Sequence, residues 1–144
     1  MKNQTISRII LFVFAFGILL SCKKSVAINP ASPADAMIGN YSMTQVVSQG
    51  QVFSLPYNQA GNQLNGTLTI SKIAPTTVSV SFILNQVLNG VKSSSSDNAQ
   101  VEIKQNGNSI DLFDPSNISS KIGNFTNNIL TIDGGDFKII AKKN

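Results

Sequence analysis

Few residues of this chain are of a kind that does chemistry. Its 144 residues include no histidine, no tryptophan, one cysteine (Cys22) and one arginine (Arg8). Without histidine there is no Ser-His-Asp triad, no Cys-His dyad and no imidazole metal ligand. With Arg8 as the sole guanidinium, bidentate recognition of phosphate or carboxylate is absent from the rest of the chain. Seven acidic residues remain, and four fall in close pairs: Asp111 with Asp114, and Asp133 with Asp136 across Gly134-Gly135. Carboxylates so placed suit Ca²⁺ coordination or the acid and base roles of hydrolysis. They suit equally well a strand end with a cap and an ordinary hairpin turn, and those plainer readings are favoured. The serine run 93–96 has no base beside it. The chain is therefore expected to be non-enzymatic, with no cofactor and no metal.

Cys22 stands at the end of an apolar stretch. Lys2 and Arg8 precede Ile9 to Leu20, which is apolar apart from Gly17. That run has the length of a signal-peptide core and is short for a membrane-spanning helix, which needs about 20 residues. Leu19-Leu20-Ser21-Cys22 follows directly. These residues resemble the lipobox of bacterial lipoproteins: an aliphatic residue three before the cysteine, a small residue just before it, then the cysteine. The resemblance implies that residues 1–21 are a signal peptide and that Cys22 becomes the lipidated first residue, carrying two or three acyl chains of the palmitate kind. Each buried CH₂ contributes about 0.8 kcal/mol, so two chains hold a protein stably where one does not. Lys23-Lys24 follow, with no aspartate beside the cysteine. By the sorting signals of that family this implies the outer membrane. No acidic cluster of the surface-export type is present, which implies the periplasmic face, with the cell surface as the alternative.

Removing 1–21 leaves 123 residues, enough for one domain with its own core. Their charge is nine basic against seven acidic residues, or +2, and Lys23 and Lys24 account for the excess. The sequence pI near 9.4 is thus no sign of a nucleic-acid partner. Residues 22–36, with Pro30 and Pro33 among small residues, read as the lipidated cysteine and a flexible tether.

From residue 37 to 144 the pattern has period two, which marks strands with one buried face. Tyr41, Met43, Gln45 and Val47 share a face. Leu64, Leu68 and Ile70 alternate with Thr67, Thr69 and Ser71, and Val78, Val80, Phe82 and Leu84 with Thr77, Ser79 and Ser81. Shorter runs follow at Val101–Ile103, Ile110–Leu112, Leu130–Ile132 and Phe137–Ala141. Asn106-Gly107, Asn89-Gly90, Asn127-Asn128 and Asp133 to Asp136 supply turns, because Asn and Gly tolerate positive φ. Asp114 to Gly123 reads as a turn entering a strand, and Ser93 to Asn98 as a polar loop. Eight or nine short-linked strands without a long helix predict an all-β fold, an antiparallel meander barrel or sandwich.

Gly39-Asn40-Tyr41 at the start of such a meander, and Asp136-Phe137-Lys138-Ile139-Ile140-Ala141-Lys142-Lys143 at its end, resemble the lipocalin-like domains of lipoproteins of the Bacteroidetes type. That family has tryptophan where Tyr41 stands, packed by an arginine from a late strand. An eight-stranded barrel of this sort either holds one small apolar or amphipathic ligand or fills its interior with side chains. Met43, Phe53, Phe82, Leu84, Leu112 and Phe137 are the candidates to line a ligand space. The alternative function is a structural or protein-interaction subunit of an envelope complex. An outward patch of Ile83, Phe113 and Ile140 would mark it.

Overall fold

A computed structural model describes residues 31–144, which form one compact unit. Cys22, the signal segment and the tether up to residue 30 lie outside the described residues. The alternating runs become ten strands: β1 (Gly39–Ser48), β2 (Gln51–Ser54), β3 (Tyr57–Gln59), β4 (Asn62–Ala74), β5 (Thr77–Leu88), β6 (Val91–Asn106), β7 (Ser109–Asp114), β8 (Asn117–Thr126), β9 (Ile129–Asp133) and β10 (Phe137–Lys143). Among the described residues one short helix, α1 (Pro33–Met37), precedes them.

All ten strands belong to one antiparallel sheet in the order β2-β1-β10-β9-β8-β7-β6-β5-β4-β3, and β1 also pairs with β4. That last pairing, Gly39 to Ser42 against Ile70 to Thr67, closes eight strands into a barrel. The fold is therefore a lipocalin-like barrel and not a sandwich, with β2 and β3 added at one end. Closure removes the unpaired edges that an open sheet of this size would carry.

The links are those the turn residues call for. Asn89-Gly90 joins Leu88 to Val91, and Asn127-Asn128 joins Thr126 to Ile129. Both residues of each link have positive φ, 51° and 81° in the first and 50° and 63° in the second. This twist matches that of the flanking strands. Asn106 pairs with Ser109, so the third link is Gly107-Asn108, one residue later than the Asn106-Gly107 expected.

The inward residues of each strand form one core: Leu68 and Ile70, Val78 and Val80, Val101 and Ile103, Ile110 and Leu112, Leu130, and Ala141. At one end the core is capped by α1. Ala34 and Met37 are fully buried there, and the buried Tyr41 hydroxyl donates to the Met37 carbonyl. The Tyr41 ring meets Phe125 edge-on, centroids 6.2 Å apart. Where the resembled family uses tryptophan and arginine, this chain closes its barrel with tyrosine, helix and phenylalanine. Burial pushes the Tyr41 phenol up to about 12.

Four expectations change. The tether was expected to run to residue 36, but residues 33–36 are helical and belong to the domain. Ser32 precedes Pro33 at the first helical position, where proline is pre-organised, and Ala34 and Met37 have a core to enter. Ser93 to Asn98 is strand, not loop, because those residues pair with Gln86 to Ser81 of β5. Both faces there are polar, so alternation could not reveal them. On β1 the register shifts between Met43 and Gln45. This bulge turns Val46, in place of Gln45 and Val47, toward the interior. Finally, Ile83, Phe113 and Ile140 do not form a patch. They lie on β5, β7 and β10, no two of which are neighbours, and only Ile83 is well exposed.

Candidate functional site: a cavity at the open end of the barrel

The end opposite α1 is not sealed. Past Ser42 and Thr67, β1 and β4 separate. The far part of β1 pairs with β2, Gln45 to Ser48 against Ser54 to Gln51, and the near end of β4 pairs with β3, Leu64 to Asn62 against Tyr57 to Gln59. No pairing joins β2 to β3. Phe53 and Tyr57 meet across that seam at a ring separation of 6.4 Å and 88°.

A cavity of about 480 Å³ lies behind it, within the usual range for small-molecule sites. Its lower wall is apolar: Met43, Val46, Phe82, Leu84 and Ile139. The opening is bordered by Phe137 and Leu88, with the uncharged polar side chains of Ser48, Asn62, Gln63 and Gln86. Exposure rises along β5 from buried Val80, through half-buried Phe82 and Leu84, to exposed Gln86 and Leu88, which fixes the direction of the mouth. Phe137 and Leu88 are 43 % and 56 % exposed, so the rim shows apolar surface to solvent.

Of the six side chains expected to line a ligand space, the structure places Met43, Phe53, Phe82, Leu84 and Phe137 around this cavity. Leu112 does not. It is fully buried in the packed half of the barrel, opposite Ile103. Alternation alone cannot tell a filled layer from an empty one, and Leu112 points inward at the filled level. Leu64, Tyr57, Gln86 and Leu88 line the cavity but were not anticipated. The inward parity of β5 continues through Gln86 and Leu88, a signal that stops being apolar at Gln86. Val46 depends on the bulge, which no local residue announces.

Gly66 sets the floor. A methyl group there would collide with the Met43 sulfur and lie 3.2 Å from Leu84 Cδ1. The missing side chain is what lets Met43 cross the barrel between the cavity and the core.

Three of the four paired carboxylates hold structure together. Asp111 takes Lys121 at 2.6 Å and the Asn106 amide at 2.8 Å, and the ammonium is the main cause of its lowered pKa. Asp114 accepts the Ser116 hydroxyl (2.6 Å) and backbone N–H (2.8 Å), closing the turn into β8 and lowering its pKa. Asp133 takes Lys138 at 2.9 Å and the Gly135 N–H at 3.2 Å. Among the described residues no group of three or more carboxylates or cysteines is placed to hold a metal.

No family model matches the chain, and neither a curated protein nor a solved structure matches it.

Proposed function

We propose that this chain is a lipid-anchored cell-envelope protein whose barrel holds a small apolar or amphipathic ligand without acting on it. The observation that carries this reading is the cavity of about 480 Å³, with an apolar lower wall and an uncharged polar mouth. The lipobox residues ending at Cys22 support the anchor, at the outer membrane and on its periplasmic face. The helix that begins the described domain, α1, caps the closed end and not the mouth. Binding in this form needs neither histidine nor a metal.

A second reading, a subunit that engages a protein partner, is favoured by one feature. Residues 91–101 of β6 pair with β5 on one side, whereas β7 begins its pairing only at Glu102. This leaves a free strand edge of the kind that accepts an added strand.

The test is native mass spectrometry of residues 31–144, whose ring of pairings and core are complete within that span, purified gently from a bacterial periplasm. A reproducible added mass that disappears on denaturation is the expected result. A clean monomer mass, with no uptake when the protein is mixed with extracted envelope lipids, would turn the weight to the protein-partner reading.

A further inference from the structure

From the charge character of the cavity we infer the ligand class: a single-chain amphipath with an uncharged, hydroxyl- or amide-bearing head, bound tail-down against Met43 with its head at the mouth. This inference rests on the ligand-binding reading above and narrows it.

No residue lining the cavity carries a carboxylate, an ammonium or a guanidinium. The nearest ionic groups do not line it. Asp97 pairs across from Phe82, but its carboxylate accepts the Asn98 N–H at 2.7 Å. Lys138 adjoins Phe137 in sequence but is held by Asp133 at 2.9 Å. Lys92 pairs across from Val87 and lines an adjoining groove that shares Gln63, Gln86 and Val87 with the cavity, but it does not line the cavity itself. A carboxylate or ammonium drawn below the mouth would lose water and find no counter-charge among the lining residues. Burial without a partner disfavours the charged form of either. The groups that are present, the Ser48 hydroxyl and the Asn62, Gln63 and Gln86 amides, donate and accept hydrogen bonds. They suit a head of alcohols, esters or amides, which needs both.

The shape agrees with one chain. Phe82, Leu84, Gln86 and Leu88 lie along one face of β5, a span of roughly 20 Å at about 3.3 Å per residue. Phe82 and Leu84 make the lower part of that span apolar, and the Gln86 amide lies beside Leu88 in its upper part. The volume is near the low end of the range for such sites, which excludes a bulky multi-chain lipid from full burial.

Isothermal titration calorimetry of residues 31–144 with three probes of equal chain length tests this: monolaurin (neutral), lauric acid (anionic at neutral pH) and dodecylamine (cationic). Each is used below its aggregation threshold. Monolaurin is expected to bind one to one, at least tenfold tighter than either charged probe. Equal or tighter binding of laurate or dodecylamine would overturn the neutral class while leaving the cavity as a ligand site. If none of the three binds, and the neutral dye Nile red does not either, the ligand-binding reading itself falls. Gln86→Lys gives a second readout on an exposed side chain that the fold does not depend on. It should reverse the preference, lowering the ratio of monolaurin to laurate affinity at least tenfold. An unchanged ratio would mean that the head does not sit at that rim.

Discussion

At the scale of single residues, the barrel depends on two glycines for different reasons. At Gly66 an added methyl meets the end of a flexible methionine, whereas at Gly123 it would run into the Thr131 carbonyl of the adjoining strand. A thioether can swing aside and a backbone carbonyl cannot. Gly66→Ala should therefore cost about 1–3 kcal/mol, the usual range for overpacking, and Gly123→Ala more. The displaced Met43 has one open direction, up into the cavity. Gly66→Ala should shorten the space for a ligand tail and weaken a long-chain probe more than a short one. Shortening the methionine as well should relieve part of both effects, because the two side chains are in contact and their changes are coupled. Urea unfolding of the two single variants and the Gly66→Ala, Met43→Ala double variant checks this. Simple additivity would mean that Met43 is not what the methyl group meets.

At the scale of elements, α1 is the piece whose attachment depends on pH. Asp35 takes Lys72 of β4 at 2.8 Å and accepts the Ser32 hydroxyl and N–H at 2.7 and 2.8 Å. The lysine first, then the serine, hold its carboxyl at about 2. A depressed carboxyl stabilises the fold above its unfolded pKa of about 3.9, and that contribution is lost as pH falls from there through 2. Acid should therefore loosen the helix. Exchange-broadening of Ala34 and Met37 amide resonances between pH 4 and pH 2, absent in Asp35→Asn because that variant has lost the contact already, is the expected record. The same helix shows what was legible in the sequence. β4 and β5 were plain because each alternates over several residues and buries one face. The α1 segment was read as tether because five residues are too few to display a helical period, and its two apolar residues gain meaning only from the core they enter. β6 was half hidden for the opposite reason: over Ser93 to Asn98 neither face is buried, so there was no contrast to read. The cavity residues were legible as inward positions on strands. Which inward positions are empty rather than filled is decided by how far β1 and β4 stay together, and that is a property of the pairing.

At the scale of the whole molecule, the ring of strands is uneven. β5 and β6 pair at twelve positions, Thr77 to Leu88 against Glu102 to Val91, while β6 and β7 pair at five, Glu102 to Asn106 against Phe113 to Ser109. The β5–β6 hairpin therefore rises past its neighbour as an arm that forms one wall of the mouth. Val91 closes a two-residue link opposite Leu88, so its N–H and C=O turn toward β5, and backbone direction alternates from there. The amides of Ser93, Ser95, Asp97 and Ala99 are then bonded to β5, while those of Lys92, Ser94, Ser96 and Gln100 point off the free edge and that of Asn98 donates to the Asp97 carboxylate at 2.7 Å. Hydrogen exchange of residues 31–144 should show this alternation residue by residue, slow at the odd positions and fast at Lys92, Ser94, Ser96 and Gln100. Lys92, Asp97 and a row of small polar side chains keep the edge from being an apolar template for aggregation. They leave its backbone groups available, however. Protection at Lys92, Ser94, Ser96 and Gln100 that grows with protein concentration would mean that a second chain has added to the edge. It would then be an interface rather than the bare wall of a binding site, and the mouth it borders would have to be understood as part of an assembly.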